Sequence, residues 1–200
     1  MKKTKIKDVE VLARTKFLSL YNAKYENKNG REKNWTIASR KGTEVLNETL
    51  LQGKEDKVDA VVIVAFHKSE KKLVLVKQFR VPINDYIYEL PAGLVDQGED
   101  ALNSLKRELK EETGLDLVEI IPGIGRDKVY LSPGMTDESV NLVYCTCEGD
   151  ISKDGLEEDE DLEPLLISKE EAKAILESDS KIDIKCLMVL QSFININTDI

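Results

Sequence analysis

Cysteine, histidine and long apolar runs are scarce in this chain of 200 residues. Its three cysteines show no Cys-x-x-Cys spacing, so a disulfide framework is not expected and reduced thiols in a cytoplasmic protein are favoured. No apolar run approaches the length of a membrane span, and the basic N-terminus lacks the apolar core of a secretion signal. The sequence therefore predicts a soluble protein with no membrane partner.

Positive charge is also in short supply. The 29 lysines and arginines face 38 acidic residues, which gives a net charge of −9. Nucleic-acid binding depends on a basic surface, so we expect no nucleic-acid partner. A phosphate-bearing ligand would need local arginines or a metal ion. With 41% hydrophobic residues, the chain can bury the core of one compact domain, with or without a small appendage.

The N-terminal part is predicted to be an antiparallel β appendage. Two aromatic, β-prone runs flank Asn29-Gly30, a pair typical of a hairpin turn. Residues 42–57 are more polar and less periodic, and we interpret them as the connection to the main domain. The predicted domains are residues 1–45, a hairpin and dimerisation segment, and residues 46–200.

The rest of the chain predicts a mixed sheet layered with helices, which is an α/β arrangement. β-branched runs alternate with polar turns, and several segments have helical character. Strands are predicted at residues 58–66, 71–79, 86–90, 117–130, 139–147 and 162–168, and helices at 100–113, 168–178 and 182–193.

One predicted helix carries an unusual charge pattern. Glu108, Glu111 and Glu112 fall within five positions of it, although like charges one turn apart repel each other. Lys106 and Lys110 are interleaved, so the cluster is either an ordinary solvated face or a site for a cation. Magnesium prefers oxygen ligands, and carboxylates held on a packed helix supply them.

Two further features bear on the cation. Leu102, Leu105 and Leu109 form an apolar stripe on a different side of the helix, which would anchor the helix in the core. Gly93 and Gly98 precede the helix and allow a tight turn. A main-chain carbonyl in that turn could join the same ion.

The whole stretch resembles the Nudix box, which reads Gly, five residues, Glu, seven residues, Arg-Glu, apolar, any, Glu-Glu, any, Gly, apolar. Nine fixed positions match within residues 93–115, which is hard to attribute to chance. They are Gly93, Glu99, Arg107, Glu108, Leu109, Glu111, Glu112, Gly114 and Leu115. The chain therefore resembles a Nudix hydrolase, and the resemblance implies an α/β/α sandwich with a mixed sheet.

The resemblance also implies roles for particular residues. Glu108 and Glu112 would be metal ligands, with the Ala92 carbonyl joining them. Arg107 would orient the glutamates, and Glu111 beside them would take part in catalysis. The implied cofactor is Mg²⁺, with Mn²⁺ as the other candidate. The implied reaction is hydrolysis of a nucleoside diphosphate linked to another moiety.

Four further stretches resemble the ADP-ribose pyrophosphatase branch of the family. They read "VLVKQFR", "ELPAGL", "SPGMTDES" and "GLEEDEDLEPLLIS", and with the box they cover most of residues 57–170. This resemblance implies cleavage of ADP-ribose or a related ADP-sugar to AMP and a sugar phosphate. Two alternatives stay open: another nucleotide substrate (NADH, another nucleotide sugar or an oxidised nucleotide), and a sensor that binds ADP-ribose without cleaving it.

The acidic stretch from Gly155 onward matches a mobile loop of that branch, which supplies the general base and a further metal ligand. The match assigns Glu158 as the base and Glu160 as the ligand. A slip of one residue would exchange these roles. The alternative is a solvated acidic loop without a function.

The resemblance assigns four more residues to substrate binding. Arg80 follows an apolar strand and would contact the substrate phosphates, and Arg40 would be a second such arginine. Trp35 and Phe17 would clamp the base across a homodimer whose N-terminal hairpins are exchanged. The alternatives are surface positions for the arginines and hairpin-core positions for the aromatic residues.

Overall fold

The structure, a computed structural model, describes residues 5–158 and 160–195 and divides the chain into two compact units. The first unit takes the chain up to Asp59 together with Lys128–Val140. The second takes Ala60–Asp127 and the chain from Asn141 onward. The predicted domain boundary after residue 45 falls inside a helix of the first unit.

The first unit contains an antiparallel sheet of three strands in the order β1-β2-β3. The strands are β1 (Ile6–Arg14), β2 (Ser19–Glu26) and β3 (Glu32–Ser39). Between β2 and β3 the chain turns at Gly30, whose φ of 73° lies in the left-handed region that glycine adopts without strain. The predicted N-terminal antiparallel appendage and its Asn29-Gly30 turn are confirmed.

The sequence predicted a simple connection at residues 42–57, but the structure contains a helix there. Helix α1 (Thr43–Gln52) begins after Gly42 and ends at Gly53, which is left-handed with φ 71°. Leu46 is fully buried against Val9 and Tyr21 of the sheet. The helix is short and only weakly amphipathic, so packing on the sheet stabilises it where periodicity gave little signal.

A buried cluster of charges joins separate parts of the first unit. The Lys41 ammonium lies 2.6 Å from Asp56, 3.4 Å from Asp59 and 3.0 Å from Asp137, and its side chain is 9% exposed. Asp56 also pairs with Lys128. The lysine after β3 thereby connects the segment that follows α1 to the loop that precedes Ser139.

The second unit contains most of an eight-stranded sheet with the order β11-β5-β4-β10-β8. Strand β6 pairs with β5, β7 with β4, and β9 with β10, and β9 and β10 each cross the boundary between the units. The remaining elements are β4 (Ala60–His67), β5 (Lys72–Arg80), β6 (Asp85–Glu89), β7 (Ala92–Leu94), α2 (Ala101–Thr113), β8 (Asp116–Ile120), β9 (Arg126–Tyr130), β10 (Ser139–Glu148), β11 (Leu162–Ile167), α3 (Lys169–Glu177) and α4 (Ile184–Asn195). The predicted mixed sheet with helices is confirmed.

Helix α2 is held by the core of the second unit. Leu105 and Leu109 are buried with residues of β4, β5 and β10. Leu102, predicted for the same stripe, is instead 44% exposed. The helix begins where the Asp100 side chain accepts a hydrogen bond from the Asn103 amide, and ends at left-handed Gly114.

The three cysteines are free and buried, in agreement with the expected reduced thiols. Burial raises the pKa of each thiol, Cys145, Cys147 and Cys186, to about 12. These thiols therefore stay protonated and behave as small apolar side chains. Among the helices of the described residues, none has the length and apolar character needed to cross a membrane.

Replacing Lys41 by methionine should destabilise the first unit by about 3 kcal/mol at neutral pH, because three largely buried carboxylates lose their shared cation. Burial raises the pKa of Asp56, but hydrogen bonds from Lys128 and Lys41 outweigh burial and the net pKa is lowered. A lowered carboxyl pKa stabilises the fold above its ordinary value, and that stabilisation is lost as the pH falls through the folded pKa. The deficit of the variant should therefore shrink in acid.

Urea denaturation at neutral pH and at about pH 3 would measure both effects. Lys128→Met is the matched control, since it removes a second lysine from Asp56 but leaves Lys41 in place. Lys128→Met should lower the free energy of unfolding clearly less than Lys41→Met does. Equal losses from the two substitutions would show that Lys41 has no special role in the cluster.

Candidate active site

Two buried glutamates of α2 form the centre of the site. Glu108 is 8% exposed and Glu112 4% exposed, although both carry carboxylates. One turn of helix separates them, so they lie on the same face. The carboxylate of Glu108 occupies the space beside Gly93 of β7, where an added Cβ would lie 1.8 Å from Glu108 Cδ. Only glycine leaves room for the side chain there.

Burial sets the electrostatics of this pair. It raises the pKa of Glu112 to about 8, against a hydrogen bond of 2.9 Å that the Ala92 amide donates to Glu112 Oε2. Burial also raises the pKa of Glu108, although Arg107 lies 2.7 Å away and opposes the shift. Each buried carboxylate therefore favours a proton or a cation at its oxygens.

Arg107 connects the acidic residues of the motif. Its guanidinium donates to Glu99 at 3.0 Å, to Glu108 at 2.7 Å and to Glu111 at 3.0 Å. It also donates to the Leu94 carbonyl at 3.0 Å, so one side chain joins α2 to β7 and to the loop between them. The pKa of Glu99 is lowered to about 2, chiefly by the hydrogen bond from Arg107.

Two residues at this site were not among the site residues predicted from the sequence. The Ser104 hydroxyl is fully buried and donates to Glu99 Oε2 at 2.6 Å, so it helps to hold the loop that precedes the helix. Glu89 of β6 accepts a hydrogen bond of 2.7 Å from Arg80 Nε. Ser104 lies within the motif at a variable position. Glu89 is the first residue of the stretch "ELPAGL", but that stretch gave it no individual role, and no spacing rule joins it to Arg80.

Arg80, at the end of β5, lies close enough to lower the pKa of Glu112. Its pair with Glu89 fixes the guanidinium, whose side chain is about half exposed. The structure thus brings Arg80 into the region of the buried carboxylates, where an anionic substrate group would need a cation.

The acidic loop, residues 150–158 with 160 and 161, also approaches the pair. Glu160 is half-buried, and its charge raises the pKa of both Glu108 and Glu112. Glu158 is exposed. Of the two carboxylates assigned to this loop, Glu160 therefore acts the more strongly on the buried pair.

Three of the residues predicted for substrate binding, Phe17, Trp35 and Arg40, lie in the first unit. Phe17 and Arg40 line one cavity of about 460 Å³, together with Arg14, Lys41 and the start of α1. Trp35 lies apart from the residues that line this cavity and is 51% exposed. Its indole N–H donates to the Gly134 carbonyl at 3.2 Å. The structure brings Phe17 and Arg40 together and places Trp35 elsewhere.

The chemistry of the donor set fits a hard divalent cation. Carboxylate oxygens are the ligands that magnesium prefers, and Glu112 has no ion pair among the described residues. In the described part of the chain no three acidic, histidine or cysteine side chains converge as a complete metal site. Glu108 turns towards Arg107, so a cation would compete with the guanidinium for that carboxylate.

Comparisons with known proteins agree with this site. The NUDIX domain family matches residues 56–186, which include the site residues of the second unit, so the chain belongs to the Nudix family. The resemblance inferred from the box is confirmed.

The chain is similar to several individual members of the family. The chain is 34% identical to an ADP-ribose pyrophosphatase of Saccharomyces cerevisiae over 140 residues, 68% of this chain and 54% of that protein. It is 35% identical to an ADP-ribose pyrophosphatase of Bacillus subtilis over 134 residues, 66% of this chain and 70% of that protein. A putative nudix hydrolase 2 of Caenorhabditis elegans is 38% identical over 122 residues, 58% of this chain and 54% of that protein. The matches thus span from about half to 70% of these relatives.

A solved structure supports the fold. The crystal structure of an ADP compounds hydrolase matches with a TM-score of 0.69 and 22% identity, covering 96% of this chain and 92% of the other. At that identity the likeness concerns the fold, and it confirms the predicted Nudix-type sandwich with an N-terminal β appendage.

Replacing Gly93 by alanine should keep the fold and weaken divalent-ion binding by about tenfold or more, because the added Cβ displaces the Glu108 carboxylate. Glu108 ends in a flexible side chain, so the carboxylate can move aside at little cost in stability. Mn²⁺ titration followed by electron paramagnetic resonance would measure the affinity. Gly134→Ala is the control, since an added Cβ meets nothing within 4 Å there. Equal affinities in both variants would contradict the role of Gly93.

Proposed function

We propose that the protein hydrolyses the pyrophosphate bond of ADP-ribose, or of a related ADP-sugar, to AMP and a sugar phosphate. The observation that carries this proposal is the buried pair Glu108 and Glu112, at the fixed positions of the family motif and beside β7. The similarity to two ADP-ribose pyrophosphatases and to an ADP compounds hydrolase supports the choice of substrate.

Glu108, Glu112, the Ala92 carbonyl and Glu160 would hold Mg²⁺, or Mn²⁺ in its place. A bound divalent ion neutralises pyrophosphate oxygens and lowers the pKa of water. The burial of Glu108 and Glu112 and the charge of Glu160 beside them support this ligand set.

The chain's own residues position and move the reacting groups. Arg107 orients Glu108 and Glu111, and Glu111 completes the charged face of the helix. Glu158 takes the proton of the attacking water while the water oxygen bonds to phosphorus and the bridging P–O bond breaks. Arg80, beside Glu112, binds the substrate phosphates.

We assign the binding of the base to Phe17 and Trp35, and a contact with the substrate phosphates to Arg40. The shared cavity of Phe17 and Arg40 supports the assignment, because it combines an exposed aromatic ring with a cation. We further propose a cytoplasmic homodimer with exchanged N-terminal hairpins. Leu12, Phe17 and Leu18 are exposed in the single chain, which supports a partner surface there.

Product analysis after incubation with ADP-ribose, NADH, ADP-glucose and 8-oxo-dGTP in Mg²⁺ tests the function. AMP and ribose 5-phosphate should form from ADP-ribose, and Glu112→Gln should reduce this turnover by at least about a hundredfold. The glutamine can still accept the hydrogen bond from Ala92, so the fold should be retained. Turnover mainly of another compound would show that this compound, and not ADP-ribose, is the substrate. Binding of ADP-ribose without products would favour a sensor.

A pair of variants in the acidic loop tests the base. Glu158→Gln should lower turnover by about 10²- to 10⁴-fold at every metal concentration, as expected for loss of a general base. Glu160→Gln should instead raise the Mg²⁺ concentration needed for half-maximal rate. Turnover measured against Mg²⁺ separates the two effects. The opposite pattern would mean that the two roles are exchanged.

A further inference from the structure

The acidic loop is attached to the second unit at both of its ends. At the first end, the Ser152 amide donates to the Thr113 carbonyl at 3.0 Å, and Gly155 lies against the backbone of Glu111. An added Cβ at Gly155 would lie 2.7 Å from Glu111 Cα, so the loop packs directly on α2. This attachment uses backbone atoms alone.

The second end is attached through Asp161, which directly follows Glu160. The Phe79 amide donates to the Asp161 carbonyl at 2.9 Å. The Tyr86 hydroxyl donates to Asp161 Oδ2 at 2.5 Å. Phe79 and Tyr86 face each other across β5 and β6, with ring centroids 5.5 Å apart in an edge arrangement. The phenol therefore reaches the loop from a fixed position on the sheet.

This second attachment lies next to Glu160, whose position is electrostatically unfavourable without a cation. Glu160 is brought towards two other carboxylates, Glu108 and Glu112, and like charges repel when no cation lies between them. Among the described residues of the loop, the hydrogen bonds of Glu160 are local: its carboxylate accepts from the Glu157 amide at 3.0 Å, and its own amide donates to the Glu157 carbonyl at 3.1 Å. These bonds shape a turn but do not tie it to the sheet.

We propose that Tyr86 is a positioning residue, whose hydrogen bond to Asp161 holds Glu160 beside Glu108 and Glu112 before a metal ion binds. The consequence for catalysis rests on the function proposed above, whereas the attachment itself concerns the metal-free chain. Tyr86 takes no part in the chemical step. It acts through Asp161.

Limited proteolysis of the metal-free protein by a glutamate-specific protease tests the attachment directly. Tyr86→Phe removes only the hydroxyl, and cleavage after Glu157 and Glu158 should become roughly three- to tenfold faster. Tyr88→Phe is the matched control: it removes the same group from the same strand, where Tyr88 contacts Lys77 through its ring. Its cleavage rate should stay at the wild-type value.

A double-mutant cycle measures the interaction between Tyr86 and Asp161 separately from other effects of each substitution. Asp161→Ala removes the acceptor and leaves the backbone bond from Phe79, so β11 should keep its register. Tyr86→Phe should accelerate cleavage in the wild-type background and change little in the Asp161→Ala background. Equal acceleration in both backgrounds, wild-type cleavage of Tyr86→Phe, or equal effects at Tyr86 and Tyr88 would each overturn the proposal.

Kinetics give a second readout. Tyr86→Phe should lower kcat for ADP-ribose severalfold and raise the Mg²⁺ requirement, with KM for the substrate unchanged. A change in KM alone would overturn the link between Tyr86 and Glu160. If the wild-type protein cleaves no ADP-ribose, the proposed function fails, while the proteolysis result still decides whether Tyr86 holds the loop.

Discussion

The desolvation of two neighbouring carboxylates is the constraint on which the rest of the site depends. Glu108 and Glu112 are almost fully buried, and burial raises the pKa of both. An amide hydrogen bond from Ala92 and one arginine offset only part of that cost. A buried pair of this kind favours a proton or a cation at its oxygens, and the proposed metal site rests on that preference.

Each surrounding element serves that pair. The core leucines of α2 fix the helix, the missing side chain at Gly93 leaves space for the Glu108 carboxylate, and Arg107 joins helix, strand and loop through four acceptor groups. The acidic loop adds a third negative charge in Glu160, next to Asp161, which accepts a hydrogen bond from Tyr86 of the sheet. Packing, charge and the proposed chemistry therefore depend on the same few contacts.

Local sequence patterns predicted much of the site, but they failed for features that depend on tertiary packing. The spacing of the box residues predicted the helix, its acidic face and the glycine turn, because these depend on residues close in sequence. Leu102 fits the apolar period but is exposed, since the core contacts the helix at Ala101, Leu105 and Leu109 instead. Helix α1 was missed because its periodicity is weak and the sheet of the first unit stabilises it.

The sequence alone determined the family, the position of the motif helix α2 and most of the strands, and the residue types available for metal and phosphate binding, because motif spacing and periodicity are local properties of the chain. Only the tertiary structure decided which carboxylates are desolvated, that Glu160 acts on them more strongly than the exposed Glu158, and that Phe17 shares a cavity with Arg40 while Trp35 does not. Burial and long-range contacts such as Tyr86 with Asp161 join residues far apart in sequence, and no local pattern encodes them.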